Sequence, residues 1–206
     1  MKRVLVLFAH PRTDRSEVNV VLVEAAGRIE GVTLVDLYAE YPTFEIDVER
    51  EQQRLHDHDV IVFQHPVYWY SCPALLKEWQ DLVLEYGFAY GADGRALEGK
   101  VLLNAVTCGA RRDVYCRSGG YTHELREFFA PFEQTALLCR MRYLPPFALY
   151  AAGHAAEEGR LEEHVGNYAE LLGALVEGRL DLDRAETGET LSDHLHDLIA
   201  PPVEVV

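Results

Sequence analysis

Asp59-Val60-Ile61-Val62-Phe63-Gln64-His65-Pro66-Val67-Tyr68-Trp69-Tyr70-Ser71-Cys72-Pro73 is the stretch on which the fold turns. Residues 59–64 read as a buried-type strand, whose centre, Val60 to Phe63, is continuously apolar and not alternating. Such runs mark strands covered on both faces, as in the centre of a parallel sheet. His65-Pro66 ends the run, and three consecutive aromatics follow. Pro73 then suits the first turn of a helix carrying Leu75, Leu76, Trp79, Leu82 and Val83.

The same order of strand, loop and helix recurs on either side. Residues 3–8 are a second continuous apolar run, stopped by His10-Pro11. Ser16 can cap a helix with apolar positions at Val20, Val23 and Ala26. Gly31 and residues 32–37 supply another strand, and residues 47–55 predict a short surface helix. After a Gly- and Tyr-rich excursion over 87–98, a fourth strand is expected at 101–106. An irregular loop spans 108–121, and residues 124–134 read as a helix with Pro131 as a kink or stop. A last strand is expected within 136–143, and residues 161–176 close as an amphipathic helix. Strand and helix alternate five times, which is the signature of an α/β doubly wound fold: a five-stranded parallel sheet with helices on both faces. Ligands of such sheets bind beyond the carboxyl ends of the strands. The loops 10–19, 66–72 and 107–121 are therefore where function is sought.

Composition narrows the classes. The chain has 206 residues, 19 Lys plus Arg and 34 Asp plus Glu, for a formal net charge of −15. That balance repels phosphate backbones, so no nucleic-acid partner is expected. The apolar runs are strand-length, far short of the roughly 20 residues of a membrane span. The apolar start of the chain lacks a small-residue cleavage site, so a soluble cytoplasmic protein is expected. Cys72, Cys108, Cys116 and Cys139 form no CxxC pair and read as reduced thiols. No metal is expected, because the 9 histidines lack helical ligand spacing. From residue 177 onward the pattern fades into an acidic extension, residues 177–206, read chiefly as a solubilising tail with a short helix at 191–198.

The three loops carry no GxSxG elbow, no GxxxxGK[ST] phosphate loop and no GxGxxG turn. The first loop has His10, Ser16 and Asn19 around a helix N-terminus, where free amides and the positive dipole end suit a single phosphate. Ser16 as a plain helix cap is the other reading. In the second, neighbouring side chains of Tyr68, Trp69 and Tyr70 diverge, so at least one can line a cleft for a planar ring; ordinary packing is the alternative. In the third, Gly109 lets main-chain amides approach a ligand edge closely. Tyr115 and Tyr121 follow; phenol hydroxyls are protonated at neutral pH and can donate to developing negative charge. Arg111 and Arg112 either meet a phosphate or stand solvated.

Beyond these single signals, the segments Tyr41-Pro42-Thr43-Phe44-Glu45-Ile46-Asp47, His65 to Trp79, Gly87-Phe88-Ala89-Tyr90-Gly91, Leu97-Glu98-Gly99-Lys100 and Leu144-Pro145-Pro146-Phe147 occur in order. With them the sequence resembles the flavodoxin-like NAD(P)H:quinone oxidoreductases. Within these it is most similar to the KefF and KefG ancillary flavoproteins of glutathione-gated potassium-efflux systems. The resemblance covers residues 2–176 and implies a flavodoxin-like FMN-binding domain followed by the acidic extension. The implied cofactor is FMN, or FAD as in larger relatives. His10, Ser16, Glu17, Val18 and Asn19 would hold its phosphate end. Pro66, Val67, Tyr68, Trp69 and Tyr70 would line its ring, and Thr107, Cys108, Gly109 and Ala110 would meet the ring's polar edge. Tyr115 matches a tyrosine that stabilises the reduced flavin in the quinone reductases. Tyr121 stands where the larger relatives have a histidine, and a tyrosine is a poor proton shuttle at neutral pH. Thr107-Cys108-Gly109-Ala110 replaces the family's Thr-Thr-Gly-Gly.

The activity implied is a ping-pong NAD(P)H dehydrogenase of the quinone type, passing two electrons to a quinone or similar acceptor. The other function implied is a regulatory subunit that binds the cytosolic domain of a potassium/proton antiporter, placing the protein at the inner membrane through that partner. The resemblance also implies a homodimer, to which the aromatic stretch 86–90 would contribute.

Overall fold

The structure of the chain, a computed structural model, describes residues 1–201. Its centre is one parallel sheet built from β1 (Val4–Phe8), β2 (Val32–Asp36), β3 (Val60–Pro66), β4 (Val101–Thr107), β5 (Arg142–Tyr143) and β6 (Phe147–Leu149). The order is β2-β1-β3-β4-β5, with β6 also on β4. Val6 lies opposite Leu34 on one side and Val62 on the other. The order reverses between β1 and β3, so the loops leaving these strands turn to opposite faces and open a crevice.

The continuous apolar runs are explained by cover on both faces. Leu5, Leu7, Ile61 and Phe63 pack beneath α3 (Val48–Asp57), α4 (Ala74–Val83) and α6 (Ala130–Leu138), through Leu55, Leu76, Trp79 and Phe132. Val4, Val6, Val60 and Val62 point the other way, onto α1 (Glu17–Ala26) and α7 (Arg160–Glu177), through Leu22, Tyr168 and Leu172. Successive residues of a strand alternate faces, so an apolar residue at every position feeds two cores.

Several local expectations change. The buried face of α1 is Val18, Leu22 and Ala26, one step around the helix from Val20 and Val23. Asp36 ends β2 one residue early and caps a four-residue helix, α2 (Leu37–Glu40), its carboxylate accepting from the amides of Tyr38 at 3.0 Å and Ala39 at 3.1 Å. Pro131 neither kinks nor stops a helix. It sits in the first turn of α6, where no amide is needed, and a separate short helix, α5 (Leu125–Phe128), precedes it. The last strand does not begin until Arg142, because α6 runs on to Leu138. The fifth position is filled in two pieces, β5 and β6, since Pro145-Pro146 between them cannot donate ladder hydrogen bonds.

The extension is not a solvated tail. Leu180, Leu191, Leu195 and Leu198 are buried in the α1/α7 core, and two short helices form, α8 (Leu182–Ala185) and α9 (Leu195–Leu198). The Arg126 guanidinium donates to the carbonyls of Glu186 at 2.9 Å and Gly188 at 2.6 Å, and Arg142 pairs with Asp183 and Glu186, each at 2.6 Å. Residues 202–206 of the expected extension lie outside the described residues. Among the described residues no helix is long and apolar enough to cross a membrane.

Candidate functional site

β1 delivers its chain to His10, which is buried beside Phe8 with its Nδ1 accepting from the Arg12 amide at 3.1 Å. That bond leaves the proton on Nε2, and burial lowers the pKa of the ring against the opposing pull of Asp14 and Asp36. The chain then makes a 3-10 turn at Thr13–Arg15 and enters α1 at Ser16. Ser16 is the helix cap, its Oγ accepting from the Asn19 amide at 3.3 Å and from Asn19 Nδ2 at 3.0 Å. Asn19 Nδ2 also donates to Thr107 Oγ1 at 3.0 Å, tying the first loop to the third. Gln64 Nε2 donates to the Asn19 carbonyl at 3.2 Å, and Tyr168 donates to Gln64 Oε1 at 3.0 Å. Asn19 Oδ1 is buried with no partner among the described residues. Glu17 is exposed and Val18 is turned into the core, so each offers the loop only its first-turn amide.

The second loop leaves β3 at the buried Pro66, with the Val67 amide held by the Thr107 carbonyl at 2.8 Å. Tyr68 and Ser71 exchange main-chain bonds of 3.1 and 3.0 Å across a two-residue turn. Its central residues, Trp69 at φ 48° and Tyr70 at φ 63°, both stand in the left-handed region. A hairpin turn of this type prefers Asn and Gly. Two aromatics there store backbone strain, of the kind found at ligand clamps. The three rings diverge as their succession requires. Tyr68 turns its edge to His10 at 6.0 Å, Tyr70 packs on Tyr121 at 5.3 Å and on Phe128 at 5.0 Å, and Trp69 stands 92% exposed.

In the third loop Cys108 is withdrawn. Its amide donates to the Leu149 carbonyl at 2.8 Å, and burial pushes its thiol up to about 12. The amides of Gly109 and Ala110 find no acceptor among the described residues, which leaves two donors free at the carboxyl end of β4. Tyr115 is buried with its ring 5.0 Å from Tyr121 and 5.5 Å from Tyr150. Desolvation, with the neighbouring Cys108, drives its pKa far above the ordinary tyrosine value.

Together Val67, Trp69, Tyr70, Gly109, Ala110, Tyr115 and Tyr121 enclose a cleft of about 380 Å³. Every one of them was expected at the site from sequence. His10, Ser16, Glu17, Val18 and Asn19 do not line it; they form the adjoining loop, linked through Tyr68 and Thr107. Sequence reasoning missed Tyr150 and Arg160, which with Arg112 and part of the extension line a second cavity beside Tyr115. No local pattern marks them, because they converge only through the loops that follow β4 and β6.

A family described as having a flavodoxin-like fold matches residues 2–172. The chain belongs to this family. It is 48% identical over 171 residues to the glutathione-regulated potassium-efflux system ancillary protein KefG of Serratia proteamaculans, covering 82% of this chain and 92% of KefG. The crystal structure of general stress protein 14 of Treponema denticola in complex with FMN is similar at a TM-score of 0.79 and 38% identity, covering 84% of this chain and 99% of that one. An NADPH-quinone reductase from P. pentosaceus is similar at a TM-score of 0.75 and 30% identity, covering 82% and 97%. The family match ends within α7, so the α8–α9 extension of this flavodoxin-like chain lies outside it.

Proposed function

We propose that this flavodoxin-like protein is an FMN-dependent NAD(P)H oxidoreductase that passes two electrons to a quinone-type acceptor, donor and acceptor using one cleft in turn. The observation that carries the reading is the cleft at the carboxyl ends of β3 and β4, with aromatic walls and the two free amides of Gly109 and Ala110. Bound FMN would supply the two-electron chemistry. The first-turn amides of α1, with His10 Nε2 and the Ser16 hydroxyl, would hold its phosphate. The orphaned Asn19 Oδ1, buried beside the Ser16 cap, would be an acceptor for a cofactor hydroxyl. Trp69 and Tyr70 would supply separate aromatic faces to a planar ring. Gly109 and Ala110 donate to a ring's carbonyl edge. Tyr115 donates from its hydroxyl and, with its pKa driven up, keeps that proton throughout the physiological range. It stabilises charge and does not shuttle protons, so the proton that accompanies reduction comes from solvent or substrate.

The visible spectrum of purified protein during anaerobic NADH and NADPH addition tests this. A yellow protein that bleaches supports it; a colourless protein that takes up no added FMN overturns it.

The similarity to KefG favours a second reading, in which the protein also binds and activates the cytosolic domain of a potassium/proton antiporter. Failure of that domain to retain the protein in a pull-down overturns it. A homodimer completes the proposal. Tyr86, 72% exposed at the start of the aromatic excursion, and the exposed Leu137 and Leu138 on α6 are apolar surface for it. Size-exclusion chromatography is expected to show twice the 23.3 kDa chain mass.

A further inference from the structure

Beside the ring cleft, and sharing Tyr115 with it, lies a larger cavity of about 900 Å³. Its floor is Leu149, Tyr150 and Ala151, with Arg111, Arg112 and Arg160 around it, and its outer wall is the extension, through Glu189, Ser192 and Asp193. That wall is firmly seated. Ser192 Oγ accepts from the Ala148 amide at 2.7 Å and donates to the Ala148 carbonyl at 3.0 Å, and the Leu191 amide donates to the Pro146 carbonyl at 3.0 Å. The two share Tyr115, so an elongated ligand with one end in the ring cleft would extend beside Tyr115 into this open second compartment.

The charges of this compartment are specific. Both arms of the Arg112 guanidinium are taken by the Asp193 carboxylate, and the same guanidinium lies 5.8 Å over the Tyr150 ring. Arg160 is held by Glu158 at 2.6 Å and by the carbonyls of Tyr150 and Ala151. Arg111 faces Asp113 at 3.9 Å. Arg112 and Arg160 are thus hydrogen-bonded to carboxylates, while Arg111 only stands near one. Glu124 and Glu189 have no cationic side chain paired to them among the described residues; Glu189 accepts only the Arg126 amide, at 3.2 Å. A phosphate monoester entering here finds the Arg112 fork already filled and meets the carboxylates of Glu124 and Glu189. A ribose, whose hydroxyls donate, finds acceptors. Carboxylates favour a free 2′-hydroxyl and a free guanidinium favours a 2′-phosphate, by the same donor–acceptor logic as in dinucleotide sites generally.

We propose that the second cavity binds the ADP-ribose end of the nicotinamide donor, and that Asp193 of the extension, by occupying Arg112, selects the donor without a 2′-phosphate. The inference rests on the reading of the protein as a nicotinamide-dependent flavoprotein. Arg112 and Asp193 are specificity-determining residues here. Burial alone would raise the Asp193 pKa, but Arg112 and Thr190 hold it below the usual carboxylate range, so the fork stays filled at neutral pH.

The test is calorimetric titration of the FMN-loaded protein with ADP-ribose and with 2′-phospho-ADP-ribose, probes that lack the nicotinamide and so report on the second cavity. The wild-type protein is expected to bind ADP-ribose at least tenfold more tightly. Asp193→Asn is expected to move the ratio about tenfold toward the phosphorylated probe, the size of one charge-assisted contact. Adding Arg112→Gln to it removes that gain. A merely structural role for the pair would weaken both probes alike and leave the ratio unchanged, which overturns the proposal, as does wild-type protein that binds neither probe. Glu189→Gln, which lifts a like charge without touching the Arg112 pair, shifts the ratio in the same direction and serves where Asp193→Asn does not fold. Neither NADH nor NADPH bleaching the flavin would sink the oxidoreductase reading, while the two probes still judge the cavity by binding alone.

Discussion

Trp69 is the residue at which stability and function are most plainly opposed. It is almost fully exposed, packs on nothing that a core would need, and holds φ at 48°. Trp69→Gly is expected to stabilise the unliganded protein by about 1 kcal/mol, read from the urea midpoint, because glycine enters the left-handed region without steric cost. The same change is expected to weaken FMN binding about tenfold, read by fluorescence titration. Tyr115 makes a second test. Tyr115→Phe keeps the ring contacts and removes the hydroxyl, so turnover is expected to fall about tenfold with FMN affinity nearly kept. Since its pKa lies far above the ordinary value, removing it leaves the pH–rate profile unchanged below pH 9. Both were expected at the cleft from sequence, Trp69 as one of three adjacent rings of which at least one must turn outward, Tyr115 through family resemblance. The strained turn was not. Nothing in Tyr68-Trp69-Tyr70-Ser71 spells a left-handed turn, and it follows from the pairing of Tyr68 with Ser71 above the sheet.

Among the elements, α3 shows how an unpromising polar helix is anchored. Glu51 is wholly buried on it, yet its carboxylate accepts from the Tyr41 hydroxyl at 2.6 Å and Trp79 Nε1 at 2.9 Å and pairs with Arg54. Glu51→Ala strands the Tyr41 and Trp79 donors, leaves Arg54 with Glu40 alone, and is expected to cost about 3 kcal/mol in urea denaturation. The charged pattern of residues 47–55 announced the helix, and the structure caps it with Asp47, which accepts from the Arg50 amide at 3.1 Å. It did not announce the buried carboxylate, whose partners come from α4 and from the end of α2. The last strand shows the complementary limit. Pro145-Pro146 was visible in sequence, but the division of one strand position between β5 and β6 depends on β4 offering partners at both ends.

At the scale of the whole molecule, acid and truncation are the informative perturbations. His164 is stacked on Phe147 at 4.5 Å, its Nε2 has no partner among the described residues, and burial, with Arg160 nearby, lowers its pKa to about 4. Its folded pKa lies below its unfolded value, so the unfolded chain binds the proton more readily. The stability it protects is complete above about pH 6.5 and is lost as pH falls toward 4. Urea midpoints are expected to fall over that window, and His164→Phe is expected to flatten the fall. Deleting the chain after residue 177 removes Leu180, Leu191, Leu195 and Leu198 from the core and uncovers the β6 edge. At about 2 kcal/mol per buried side chain the loss rivals the stability of a domain, so the truncated protein is expected to aggregate, read by light scattering.

The sequence by itself determined the parallel sheet, its burial on both faces and the loops after β3 and β4 that line the cleft. Continuous apolar runs and the residues that stop them are local signals, and strand topology then places their loops at one edge. Only the tertiary structure decided what residues 178–200 do. Their acidic composition reads as solubilising. Their leucines at 191, 195 and 198 suggest a short helix but find a core only once α7 is in place, and Asp193 meets Arg112 across 81 positions of chain. Contacts at that separation leave no periodic trace in sequence, because what selects them is the shape of the surface already folded.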